Sequence, residues 1–98
     1  MARTKTAPVV HVVDDDPDMR ASIALLMKSV RLPCRVHAGA GEFLAAWRPE
    51  EAGCLVLDVR MAHMSGPALQ DHLATMGARI PIVFISGHAD IDIAIRTI

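Results

Sequence analysis

The chain has 98 residues, a formal net charge of −1 at pH 7 and 52% apolar residues, which suits one small globular domain with a core of ordinary composition. No Lys/Arg cluster extends beyond Arg3 to Lys5, which argues against a nucleic-acid surface. No stretch reaches the ~18 apolar residues of a membrane span, and residues 1–7 lack the apolar centre of a secretion signal, so the reading is a soluble, cytoplasmic domain.

Residues 1–8 read as a mobile start, with Pro8 opening the first predicted strand over about 9 to 13 (VVHVV). Asp16 then serves as an N-cap with Pro17 at the first helical position. Ile23, Leu26, Met27 and Val30 recur at helical spacing and predict one apolar face on a helix of about 17 to 31, stopped by Pro33. A second strand, about 34 to 38 (CRVHA), leads through Gly39 and Gly41 into a short helix that turns Phe43, Leu44 and Trp47 inward and ends before Pro49. The third strand is 54 to 58 (CLVLD). Ser65 caps the next helix, with Pro67 just inside it, Leu69, Leu73 and Met76 as its buried stripe, and Gly77 at the left-handed C-terminal position. Ile82 to Ser86 is the fourth strand, and Asp90 caps a final segment whose Ile91, Ala94, Ile95 and Ile98 share one face.

Strict alternation of strands and helices implies a parallel sheet with right-handed crossovers and helices on both faces. The short apolar runs read as strands buried on both faces. Two of them end in carboxylates: the first runs into Asp14, Asp15 and Asp16, the third into Asp58. If these strands are neighbours, their acids meet in the crevice at the carboxyl edge of the sheet, where open α/β sheets place their sites. Carboxylates held together repel one another unless a cation neutralises them. Magnesium, which takes one or two protein carboxylates together with waters and phosphate oxygens, suits Asp14, Asp15 and Asp58.

Other motifs compete for the same residues. Asp14, Asp16 and Asp18 begin a calcium-loop pattern, but Met19 and Leu25 stand where that loop needs Gly and Glu. The same segment imitates the nucleophile motif of haloacid-dehalogenase-like phosphatases, which does not account for LDVRM at 57 to 61. Gly39-Ala40-Gly41 is a turn rather than a dinucleotide fingerprint. Cys34 and Cys54, with no CxxC or clustered His, are expected as small core residues. His11 is expected as a hydrogen-bonded core residue, and His37, His63 and His72 show no ligand spacing.

The segments VVDDDP at 12 to 17, LDVRM at 57 to 61, MSG at 64 to 66 and ISGHAD at 85 to 90, taken in order and on the predicted strand ends, give the chain its resemblance to a family. It resembles the receiver domains of bacterial two-component response regulators, especially the branch joined to LuxR-type helix-turn-helix outputs, over residues 9 to 98. The resemblance implies a doubly wound, flavodoxin-like α/β fold. It implies that Asp58 is the phosphoacceptor, that Asp14 and Asp15 hold Mg2+ together with Asp58 and the backbone carbonyl of Arg60, and that the Ser86 hydroxyl hydrogen-bonds the phosphoryl group. The backbone of Val59 and Gly87 would lie nearby, and Arg60 and His88 occupy positions that influence how long the phosphate survives, or are simply exposed loop residues. The implied partner is a sensor histidine kinase. The expected role is signalling rather than enzymatic turnover, and two alternatives stay open: a non-switching module that docks a histidine kinase, and a haloacid-dehalogenase-like phosphatase.

The chain departs from the family pattern in two ways. Four β-α units are present, but the fifth strand, its terminal lysine and the fifth helix are not, and Ala62 stands where the family usually has Pro. The expectation is a truncated receiver over 9–98 with impaired signalling, whose fourth strand is an open apolar edge and whose first helix leaves uncovered the face that would pack on the missing helix. Leaving about 300 Å² of apolar surface wet forfeits roughly 7 kcal/mol at ~25 cal/mol per Å², comparable to the ~5 to 15 kcal/mol stability of a small domain. The expectation is therefore a homodimer or swapped oligomer through that strand, or a chain that is a fragment of a longer gene product.

Overall fold

The computed structural model describes residues 8–61 and 63–85. Seven elements follow in chain order: β1 (Val9–Val13), α1 (Pro17–Ser29), β2 (Cys34–His37), α2 (Ala40–Ala46), β3 (Gly53–Asp58), α3 (Gly66–Thr75) and β4 (Ile82–Ile85). The final predicted helix, Ser86, Gly87, His88 and Ala62 lie outside the described residues.

All strand pairs are parallel, in the order β2-β1-β3-β4. The adjacency of the first and third strands, which the sequence left as a condition, is thereby met. Their register pairs Val13 with Leu57, so Asp14 and Asp58 leave the sheet at the same level.

Local chemistry sets the helix ends. The Asp16 carboxylate accepts the Asp18 N–H at 2.9 Å and opens α1, and Ser65 Oγ accepts the Ala68 N–H at 3.2 Å and opens α3. At the end of α3, Gly77 is left-handed (φ 75°), and its N–H and that of Ala78 bond back to the carbonyls of Ala74 and Leu73. This is a Schellman closure. Helix α1 closes the same way, with Arg31 N–H on Lys28 and Leu32 N–H on Met27. There the left-handed residue is Arg31 itself (φ 61°), so the helix ends at Ser29, earlier than Pro33 alone suggests.

One face of the sheet carries the main core. Val13, Leu55, Leu57 and Phe84 from the strands pack against Phe43 and Trp47 of the α2 region and Leu69 and Leu73 of α3. The other face meets α1, which packs on β1 and β2. Strand β1 is buried along its whole length, as its apolar run predicts.

The other two-sided burials are corrected. In β3 only Leu55 and Leu57 are fully buried, while Cys54 and Val56 are half-covered, because α1 lies over β1 and β2. In the predicted α1 stripe Ile23 and Met27 are half-buried, but Leu26 and Val30 are more than half exposed, and no residue of the helix is fully buried. Met76 is likewise 53% exposed, since α3 has already closed when the chain reaches it. Cys34 and Cys54 are free and only partly buried, and both pair in register with Val10 on opposite sides of β1. A strand lies between them, so they cannot form a disulfide.

His11 is a hydrogen-bonded core residue, as expected, but its partners were not legible. Its Nδ1 lies 3.0 Å from His37 Nε2, and its Nε2 lies 3.0 Å from Glu51 Oε1. Both rings meet Phe43 edge-on. Burial, reinforced by His11, lowers the pKa of His37. With His37 neutral, one proton on each bridge satisfies the chain, His37 Nε2–H donating to His11 Nδ1 and His11 Nε2–H to Glu51.

Candidate functional site: an acid pocket at the carboxyl edge of the sheet

The turn after β1 is built from its own acids. Asp14 is 4% exposed, and its Oδ1 accepts the Asp16 N–H at 2.9 Å, an Asx turn that bends the chain sharply out of the sheet. Its N–H donates to the His37 carbonyl at 3.2 Å, and the Arg20 guanidinium reaches back from α1 to its carbonyl oxygen at 2.8 Å. Asp15 is exposed beside it.

Asp58 ends β3. Its Oδ1 accepts the Arg60 N–H at 3.2 Å, and the Val59 N–H donates to the Ile85 carbonyl at 3.0 Å. Gly66 then brings the start of α3 directly against this strand end, with its N–H on the Val59 carbonyl at 3.0 Å. A Cβ at Gly66 would lie 2.4 Å from the Asp58 carbonyl oxygen. The glycine of the MSG segment is thus required by a close backbone approach.

Carboxylate oxygens of Asp14, Asp15 and Asp58 lie within 4.8 Å of one another. The sequence placed these acids at two strand ends, and the β1–β3 pairing brings them together. Burial, above all, raises the Asp58 pKa. The neighbouring Asp14 and Asp15 charges and a hydrogen bond with Asp14 push it the same way, against the lowering effect of the Arg60 N–H.

Such a donor set fits a hard divalent cation, which would remove the repulsion and bridge the acids. A cavity of about 680 Å³ opens beside Asp15, lined by Gly39, Glu42, Met61, His63 and Met64 among others. Arg60 is exposed in the loop that follows Asp58. Ser86, expected to complete the site, lies outside the described residues. Sequence reasoning missed the space requirement at Gly66, although the glycine itself was part of a recognised segment.

A four-stranded parallel sheet in this order, wound on both faces and carrying an acid pocket at its carboxyl edge, defines the class: a flavodoxin-like α/β fold with an aspartate-lined site. The family follows from the comparisons, in which the response regulator receiver domain matches residues 10–98. The chain belongs to that family, the receiver domains of two-component systems.

Among curated relatives, it is 41% identical over 91 residues to the C4-dicarboxylate transport transcriptional regulatory protein DctR of Rhodobacter capsulatus, covering 91% of this chain and 46% of that protein. It is 40% identical over 92 residues to the response regulator protein TodT of Pseudomonas putida, covering 94% of this chain and 40% of the relative. The chain thus spans less than half the length of these relatives. Among solved structures, the response regulator StyR superposes with a TM-score of 0.82 at 45% identity, over 87% of this chain and 43% of that one. FixJ-N superposes with a TM-score of 0.81 at 34% identity, over 92% and 72%. Among the described residues no helix is long and apolar enough to cross a membrane.

Proposed function

We propose that this domain accepts a phosphoryl group on Asp58 with Mg2+ bound by Asp14, Asp15, Asp58 and the Arg60 carbonyl, taking it from a sensor histidine kinase in the cytoplasm. The observation that carries the reading is the convergence of the three carboxylates within 4.8 Å at the carboxyl edge.

In the reaction, an Asp58 carboxylate oxygen attacks phosphorus, a P–O bond forms, and the P–N bond of a phosphohistidine breaks with its electron pair leaving on the imidazole, which takes up a proton. When bound, the metal screens the charge of the attacking carboxylate from that of the phosphoryl oxygens. Asp14 and Asp15 would hold it together with Asp58 and the Arg60 carbonyl, and the Arg60 N–H holds the Asp58 carboxylate in place. The Ser86 hydroxyl is assigned to the transferred group. Residues 9–98 form the receiver, preceded by a separate segment at 1–8.

The test is incubation with Mg2+ and acetyl phosphate, followed by intact mass. The expected result is one phosphoryl adduct that forms only with the metal present. A folded protein that gains no mass would overturn the assignment, and continuous release of phosphate from many monoesters would favour a phosphatase.

The charge cluster gives the metal-free domain a defined pH dependence. Because the folded pKa of Asp58 is raised above its ordinary 3.8, stability from this group is fully present below 3.8 and is lost as pH rises through the raised value. At neutral pH, Mg2+ at a hundred times its Kd should restore about 2.7 kcal/mol. The midpoint of thermal unfolding should therefore rise with Mg2+ at pH 7 and stay unchanged by it below the ordinary carboxylate range.

Self-association through β4 is the second element of the proposal. Among the described residues β4 is an edge of the sheet, and its Val83 is 54% exposed. Sedimentation should show concentration-dependent dimers that Val83→Lys abolishes, since a lysine on an edge strand blocks pairing. A monodisperse monomer at all concentrations would refute this.

A further inference from the structure

Asp14 lies one residue past the last paired position of β1, since the register with both neighbouring strands ends at Val13. Arg20, half-buried in the first turn of α1, reaches back to it, and its Nη1 donates to the Asp14 carbonyl oxygen at 2.8 Å. That oxygen belongs to the peptide joining Asp14 to Asp15. One hydrogen bond therefore fixes the peptide plane from which both acids leave the main chain.

The arginine is itself held in a closed ring. Asp14 Oδ1 accepts the Asp16 N–H at 2.9 Å, the Asp16 carbonyl accepts the Arg20 N–H at 3.0 Å, and the guanidinium returns to Asp14. On the other side the Asp14 N–H is tied to the His37 carbonyl at 3.2 Å. Among the described residues Arg20 forms no ion pair with Asp14, Asp15 or Asp58. It orders the turn through the backbone and leaves the carboxylates open to a cation.

We propose that Arg20 is a positioning residue for the divalent-cation site, holding the Asp14–Asp15 peptide so that both carboxylates are arranged for the ion before it arrives. This inference rests on the reading of Asp14 and Asp15 as Mg2+ ligands. Groups that orient metal ligands raise affinity, because the ligands then lose less freedom on binding. The charge of Arg20 acts in the opposite sense, since a guanidinium beside the pocket repels a divalent cation. Removing it should tighten Mg2+ binding if charge is its contribution, and weaken binding if positioning is.

Mg2+ is titrated into 15N-labelled protein at constant pH and ionic strength and followed on the Asp14, Asp15 and Asp58 amide cross-peaks. These are read on the folded species, so a change in stability alone leaves the measured affinity untouched. The expected result is a saturable shift in the wild-type chain, about tenfold weaker affinity in Arg20→Gln, and recovery of most of that loss in Arg20→Lys, which keeps a charged donor for the single acceptor. By linkage, the metal strengthens the bond that favours its binding, so saturating Mg2+ should slow hydrogen exchange of the Arg20 guanidinium in the wild-type chain, a check that needs no variant. Equal or tighter Mg2+ binding in Arg20→Gln, or guanidinium exchange unchanged by the metal, would overturn the role of Arg20 alone. A wild-type chain whose three amides do not respond to Mg2+ would overturn the ligand assignment with it.

Discussion

Replacing Asp58 by Asn is expected to abolish the phosphoryl adduct while making the metal-free domain more stable. The loss is complete because a carboxamide has no carboxylate oxygen with which to form the acyl phosphate. The gain follows from the Asp58 environment, in which burial and the Asp14 and Asp15 charges all oppose ionisation. Because the carboxylate is partly solvated and screened, the increment is of the order of 1 kcal/mol or less. Intact mass after acetyl phosphate treatment reads the first effect, and urea denaturation without metal reads the second. Opposite signs separate a functional carboxylate from a structural one, since removing a structural carboxylate would lower stability. The Mg2+-dependent rise in unfolding temperature should shrink in the same variant. An adduct persisting in Asp58→Asn would move the phosphoacceptor elsewhere.

Gly66→Ala is expected to cost about 2–3 kcal/mol, in the upper range for overpacking, and to slow adduct formation in the protein that remains folded. The added methyl would lie 2.4 Å from the Asp58 carbonyl oxygen and 3.0 Å from Phe84 Cε1. The nearer atom is backbone, so it cannot rotate away. Relief requires α3 to retreat from β3, which loosens Leu69 and Leu73 in the core and disturbs the Gly66 N–H bond to Val59, next to Asp58. Gly41→Ala provides the control. Gly41 sits within α2, and a Cβ there would meet nothing within 4 Å, so the better helix former should stabilise by about 0.5–1 kcal/mol. Urea midpoints moving in opposite directions for the two variants would establish that close approach, and not glycine loss in general, is what Gly66 serves.

Self-association can be separated from the chemistry at Asp58. Val83 and Asp58 both lie on the β3–β4 half of the sheet, but Val83 is two residues before the Ile85 that pairs with Asp58. Val83→Lys should therefore leave the metal-dependent adduct intact while removing the dimer.

The helix starts at Asp16 and Ser65, the left-handed Gly77 and the four strands were all legible in the sequence. Each depends on interactions within a few residues, or on a periodicity that burial imposes directly. The acids at the two strand ends were legible for the same reason. Their meeting was not, because periodicity carries no information about which strands are neighbours, and only the β1–β3 register brings Asp58 level with Asp14.

Close approaches between distant segments were equally invisible. At Gly53, φ is 143° and a Cβ would lie 1.9 Å from the Val9 carbonyl oxygen. Nothing within its own stretch of sequence marks that demand. The His11–His37–Glu51 chain joins residues from two strands and a loop, and its histidines showed no motif spacing because tertiary packing alone supplies their adjacency. The apolar stripe of α1 was legible as spacing, but which of its residues are covered was not. Its spacing was right, but Leu26 and Val30 remain exposed, since how much of an amphipathic face is buried depends on what packs against it. By itself the sequence determined the alternating elements, their caps and the acids at two strand ends. The tertiary structure decided which ends converge and which faces are covered, because those follow from contacts between segments far apart in the chain.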